Sequence, residues 1–205
     1  MKRTCILAAA LGLQACSLLP SEPAKATYDF GLPREVSMRT TSSPVAAPVV
    51  VVAEVTSPTW MDRAAMHYRL AYRDAANPIP YSRSEWVMPP AGLGPASGGG
   101  VRAVLTRDPD ALVLRSELQQ FEQVFDAPKQ SRGVIRMTAT LAGRGVSAQR
   151  SFAIERPAAT PDARGGVGAL SQGVDELVVE LREWIASASS GREAPVRAAS
   201  APGER

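Results

Sequence analysis

Histidine and cysteine are almost missing from this chain of 205 residues, which has one histidine, His67, and two cysteines, Cys5 and Cys16. A metal cage or a histidine-based triad needs several imidazole or thiolate groups at one point, so both chemistries lack material. Charge of one sign is lacking as well. The 23 Lys and Arg stand against 20 Asp and Glu, and the resulting +3 is too weak and too dispersed for a nucleic-acid footprint. There is no Gly-x-Ser-x-Gly elbow of the kind an acyl hydrolase presents. The glycine-rich stretch Ala91 to Gly100 lacks the Gly-Lys-Ser/Thr of a phosphate-binding loop, so it reads as a surface loop. The expectation is a chain without catalysis, cofactor, metal or nucleic-acid partner. No apolar run approaches the roughly 20 residues that a spanning helix requires. What is present, 45% hydrophobic residues with 16 Gly and 17 Pro, fits one globular domain.

The amino terminus reads Met1-Lys2-Arg3-Thr4 followed by an apolar stretch from Cys5 to Leu13. A basic start before a short apolar segment is an export signal. It closes on Leu13-Gln14-Ala15-Cys16, and this order of apolar, variable, small and cysteine resembles the lipobox of bacterial lipoproteins. The resemblance implies cleavage between Ala15 and Cys16 and a diacylglyceryl group on the Cys16 sulfur. A thiol is the most readily activated nucleophile in the segment, and two or three acyl chains hold a protein stably on a membrane where one is marginal. By resemblance to enterobacterial lipoprotein sorting, Ser17 rather than Asp after the cysteine implies the outer membrane, with the body facing the periplasm. Cys5 would leave with the signal and Cys16 would be blocked, so no disulfide is expected.

Downstream, Tyr28 to Leu32 suggests a short strand, and Val49 to Val55 is an apolar run read as a central strand buried on both faces. In Met66 to Arg73, Met66, Tyr68, Leu70 and Tyr72 alternate with His67, Arg69, Ala71 and Arg73, which turns His67 toward solvent. Ile79 to Val87 is extended. Ala111 to Glu117 is a strand with Leu112 and Leu114 on one face, running on through Leu118, Phe121 and Phe125. Gly133 opens another in which Ile135, Met137, Ala139 and Leu141 alternate; Gly143-Arg144-Gly145 turns it, and Val146, Ala148, Phe152 and Ile154 return. Val167, Leu170, Val174, Leu177, Val178, Leu181 and Ile185 recur at helical spacing, an amphipathic helix of about five turns. The fold class is α/β: a single domain with a mixed sheet, a C-terminal β-meander and a long amphipathic helix packed on one face. The organisation is signal peptide 1–15, lipidated tether 16–26, folded domain 27–186 and disordered tail 187–205.

Several segments together resemble the ABC-type transport auxiliary lipoprotein family, of PqiC/YmbA-like proteins. They are Tyr28-Asp29-Phe30 soon after Cys16, Trp60-Met61-Asp62 before Met66-His67-Tyr68-Arg69-Leu70, and Tyr81 to Trp86 before Pro89-Pro90. The most specific runs from Leu114 to Asp126, followed by Ser131-Arg132-Gly133. The resemblance implies a lipid-anchored periplasmic domain working with an ABC permease and ATPase and an MCE-type substrate-binding protein that moves lipids or other hydrophobic molecules. Relatives carry a helix after the Pro-Pro segment where this chain is glycine-rich. Trp60 and Trp86 are the candidate partner contacts, because Trp is favoured at interfaces. A structural or pilot lipoprotein of an outer-membrane assembly is the alternative, and homo-oligomerisation is left open.

Overall fold

A computed structural model describes residues 24–31, 50–53, 55–93 and 111–190. The signal peptide, the Ala15–Cys16 cleavage and lipidation site, most of the tether, the glycine-rich stretch beyond Leu93 and the tail from 191 lie outside the described residues.

Four strands come first: β1 (Ala26–Tyr28), β2 (Val50–Val52), β3 (Ala65–Leu70) and β4 (Pro78–Trp86). The meander follows as β5 (Leu112–Ala127), β6 (Gln130–Gly143) and β7 (Val146–Pro157), and the chain then enters helix α1 (Ala163–Ser189). All seven strands join one mixed sheet in the order β1-β4-β3-β5-β6-β7, with β2 on the flank of β5. β1 on β4, β2 on β5 and β3 on β5 are parallel, and the remaining pairs are antiparallel.

The long strands follow from alternation. Leu112, Leu114, Ser116 and Leu118 are buried on the side that faces α1, and so are Phe121, Gln123 and Phe125. That parity change needs one extra residue between Leu118 and Phe121, and the ladder supplies it as a register shift between Leu118 and Gln120. The β6–β7 hairpin turns through Arg144 and Gly145 at φ of 52° and 78°. Two positive values in a two-residue loop define the turn whose twist matches the flanking strands.

The apolar run at 49–55 is not a central strand. β2 spans three half-buried residues and pairs with β5 alone among the described residues, because the same flank of β5 is occupied further along by β3. β2, a bridge at Thr56 and β3 follow one another in parallel along the same flank of β5, with a 3₁₀ turn at Thr59–Met61 between the bridge and β3. A short apolar run cannot by itself distinguish the two settings.

Helix α1 is 27 residues long, longer than five turns, and it continues past residue 187, where the sequence suggests disorder. Asp162 caps it, its Oδ1 accepting from the Gly165 N–H at 2.8 Å and from the Thr160 hydroxyl at 2.8 Å. Those bonds hold the Asp162 carboxyl below its ordinary pKa. The buried stripe uses more small residues than the sequence suggests: Gly165, Gly166, Ala169 and Gly173 sit with Leu170, Leu177, Leu181 and Trp184. A Cβ on Gly166 would lie 2.2 Å from Oε1 of Gln123, and one on Gly133 of β6 would lie 2.9 Å from the Leu170 nitrogen. The glycines let helix and sheet backbones approach closely. Among the described residues no helix is long and apolar enough to cross a membrane.

Candidate functional site

The two tryptophans read as contacts fall in opposite environments. Trp86 ends β4 and is 1% exposed, its ring 5.5 Å from Phe121 and 5.9 Å from Phe30 between centroids. It is a core residue, and its assignment as a contact is corrected: β4 ends with this side chain turned to the α1 side of the sheet. Trp60, on the 3₁₀ turn that precedes β3, is 39% exposed.

Trp60 stands edge-on to His67 at 5.2 Å between centroids. His67 is therefore half-covered rather than turned freely to solvent as its alternation suggests. Its imidazole is held below the ordinary pKa because burial disfavours the cation, an effect larger than the opposing influence of Glu122 and of the Ala65 backbone. Beside it, on the face of the sheet away from α1, the Glu122 carboxylate has no solvent exposure. Arg69 donates from Nε to Glu122 Oε1 at 2.8 Å and from Nη2 to Oε2 at 3.3 Å, and Gln120 donates to Oε1 at 2.5 Å. The Arg69 Nη1 also donates to the Ala75 carbonyl at 2.6 Å, which ties the turn after β3 to this cluster.

On the α1 side, one step along the strand, Gln123 is fully buried. Its Oε1 accepts from the Tyr81 hydroxyl at 2.8 Å and its Nε2 donates to the Ser131 hydroxyl at 2.8 Å, linking β4, β5 and the start of β6. Burial foremost raises the Tyr81 pKa, so the phenol stays protonated. Glu122 and Gln123 thus send polar groups into both faces of one strand, and each is satisfied there.

The sequence reading missed this pair. One signal was available: neighbours in a strand point to opposite faces, so Gln123 had to share the apolar face of Phe121 and Phe125. Nothing in one sequence points from Glu122 to Arg69, 53 positions away. A separate cleft of about 330 Å³ opens where β1 ends, lined by Tyr28, Phe30, Gly31, Val87, Val167 and Ser171. Among the described residues no three His, Cys, Asp or Glu side chains converge so as to hold a metal ion. The described surface offers an exposed aromatic, Trp60, standing on His67, and a shallow cleft where β1 ends.

These features define an open, two-layer α/β domain with a mixed seven-stranded sheet and one long helix. A crystal structure of a protein from Xanthomonas campestris, described as DUF330, superposes with a TM-score of 0.60 at 17% identity, covering 82% of this chain and 95% of that one. A second solved structure, of an uncharacterized protein, gives 0.61 at 16% identity over 80% and 99%. A lipoprotein from Neisseria meningitidis matches with a TM-score of 0.28 at 15% identity over 67% and 99%, too loose a fit to argue from. At these identities the first two likenesses establish a shared fold. No family model matches the chain. No curated protein matches it either.

Proposed function

We propose that this protein is a lipid-anchored accessory component of the bacterial cell envelope that works by protein contact, without catalysis, in an MCE-type ABC system moving lipids or other hydrophobic molecules. The observation that carries the reading is Leu13-Gln14-Ala15-Cys16 closing a basic and apolar leader. The family resemblance of the segments around Trp60 and from Leu114 to Asp126 supports the transport context, and the fold shared with the DUF330 protein is compatible with it. Cys16 precedes the first strand residue, Ala26, by ten positions. Ten residues reach at most about 35 Å when fully extended, so the folded body stays close to the bilayer. Trp60 is the side chain this reading places at a partner surface.

Two measurements test it. Cells fed a clickable fatty acid should label the native chain and not Cys16→Ser; label retained by the variant, or absent from both, refutes the anchor. The detergent-solubilised native chain should co-purify with an MCE-domain protein, and Trp60→Ala should weaken that association. Recovery of secretin or pilus components in place of transport components would refute the transport role.

A further inference from the structure

Strand β7 closes the sheet among the described residues and presents a long outer edge. Edge strands are normally kept short, bulged, or dotted with Lys and Pro, because a row of unpaired N–H and C=O groups invites another chain. β7 runs 12 residues from Val146 to Pro157, meets proline at its last position alone and pairs with β6 without a register shift; of its charged residues Arg150, Glu155 and Arg156, both arginines are drawn to glutamates of α1.

The phase of its free groups is fixed. The Ala158 N–H donates to the Ser131 carbonyl at 2.9 Å, so even-numbered residues of this register bond inward to β6. Ser147, Gln149, Ser151, Ala153 and Glu155 therefore aim their main-chain groups outward, and all five are exposed. With one donor and one acceptor each, they can make about ten hydrogen bonds to an antiparallel strand, a full complement for a specific interface.

We propose that the occupant of this edge is β7 of a second copy of the chain, paired antiparallel about a two-fold axis through Ser151. The strand is self-complementary in that register. Ser151 meets Ser151, Gln149 meets Ala153 and Ser147 meets Glu155 on one face; Arg150 meets Phe152, Arg156 meets Val146 and Ala148 meets Ile154 on the other. No like charges oppose one another. Centring the axis on Arg150 sets two guanidinium groups face to face, which is destabilising. Centring it on Phe152 brings Pro157, which has no N–H, into the ladder. Arg150 already lies over a Phe152 ring, 5.0 Å from its centroid within the chain, so the cross-strand contact repeats a pairing the side chains already make.

The layer above the sheet fits as well. α1 packs across β6 and β7 and reaches β5, so continuing the sheet places the second helix two to three strand spacings away, about 10–14 Å, as the next helix of the same layer. The flank of α1 nearest the seam carries Glu176 and Glu180, each already paired with a β7 arginine, Arg156 at 2.5 Å and Arg150 at 3.6 Å. This pairing depends on neither the lipid nor a transport role.

Cysteine cross-linking of the full-length, detergent-solubilised chain decides it, with the unsubstituted chain as baseline. Cα atoms at such a hydrogen-bonded two-fold pair lie about 5.5 Å apart, inside the range of about 4.4–6.8 Å that a disulfide spans. Ser151→Cys should give covalent dimer as its main product under mild oxidation, and a mixture of Gln149→Cys with Ala153→Cys should cross-link where neither does alone. Ser147→Cys should stay monomeric. Ser151→Lys, whose side chain points away from the core, should keep its circular dichroism and lose the dimer in sedimentation velocity. The proposal is overturned if Ser147→Cys cross-links as well as Ser151→Cys, or if the native chain sediments as a monomer at every concentration.

Discussion

The two halves of the sheet are built on different terms. From Leu112 to Pro157 three strands of 12 to 16 residues pair antiparallel through short turns, and α1 covers them with apolar and small side chains. From Ala26 to Trp86 four strands of 3 to 9 residues attach to that body largely by parallel pairing, and each parallel connection must be closed across the chain. The first half holds together through contacts close in sequence and a continuous core. The second is fastened by polar bolts, Arg69 to Glu122 on one face and Tyr81 to Gln123 on the other. Shorter strands bury less apolar surface, so specific bonds carry a larger share of their attachment.

The sharpest way to break this contrast is at Glu122. Arg69→Met leaves a fully buried carboxylate without its charge partner and with Gln120 still donating to it, which should cost about 3–5 kcal/mol, whereas Arg69→Met with Glu122→Leu should recover most of it. Denaturant titration of the native chain and the two variants checks this; a double variant as unstable as the single one would contradict the account. Hydrogen exchange on Arg69→Met should quicken in β3 and β4 before it quickens in β6.

In the other half the expected effect is about 2–5 kcal/mol for Leu181→Ala, from transfer and cavity terms together. There, exchange should quicken across α1, β6 and β7 as one unit. If β3 and β4 alone responded, the division into a continuous core and a bolted flank would fail.

The smallest effect is that of pH. His67 titrates below its ordinary pKa in the folded chain, so folding favours the neutral imidazole. The group's stability contribution is full above about pH 6.5 and falls as the pH drops from there through the folded-state value, because the unfolded chain then binds the proton more readily. Thermal unfolding between pH 7.5 and 5 should show a modest decline in Tm that flattens in His67→Phe. An identical slope in both chains would place the titration elsewhere.

The same contrast explains what could be read from the sequence. The meander and the helix were legible because alternation and helical spacing persist over many residues: Ile135 to Leu141, Val146 to Ile154 and Leu170 to Ile185 each repeat their period several times. Even there the glycines of α1 diluted the buried stripe, and Trp184, 2% exposed, went unnoticed because three apolar neighbours already satisfied the pattern. The short strands offered no such repetition. The run at 49–55 gave the same signature as a central strand, and Trp86 read as a contact because tryptophan suits an interface as well as a core. The site depends on partners 42 and 53 positions apart, distances over which a single sequence carries no periodic signal.

One detail of the outermost strand bears on how the body withstands being tugged. β1 is joined to β4 by three register pairs, Ala26 with Ser84, Thr27 with Glu85 and Tyr28 with Trp86, and by a surface ion pair from Lys25 to Glu85 at 3.3 Å. Any mechanical load arriving from the amino-terminal side meets this small seam before it reaches the deep interior. The outer strand would peel away first and leave the remaining sheet intact, like a fuse placed between a mooring and its hull.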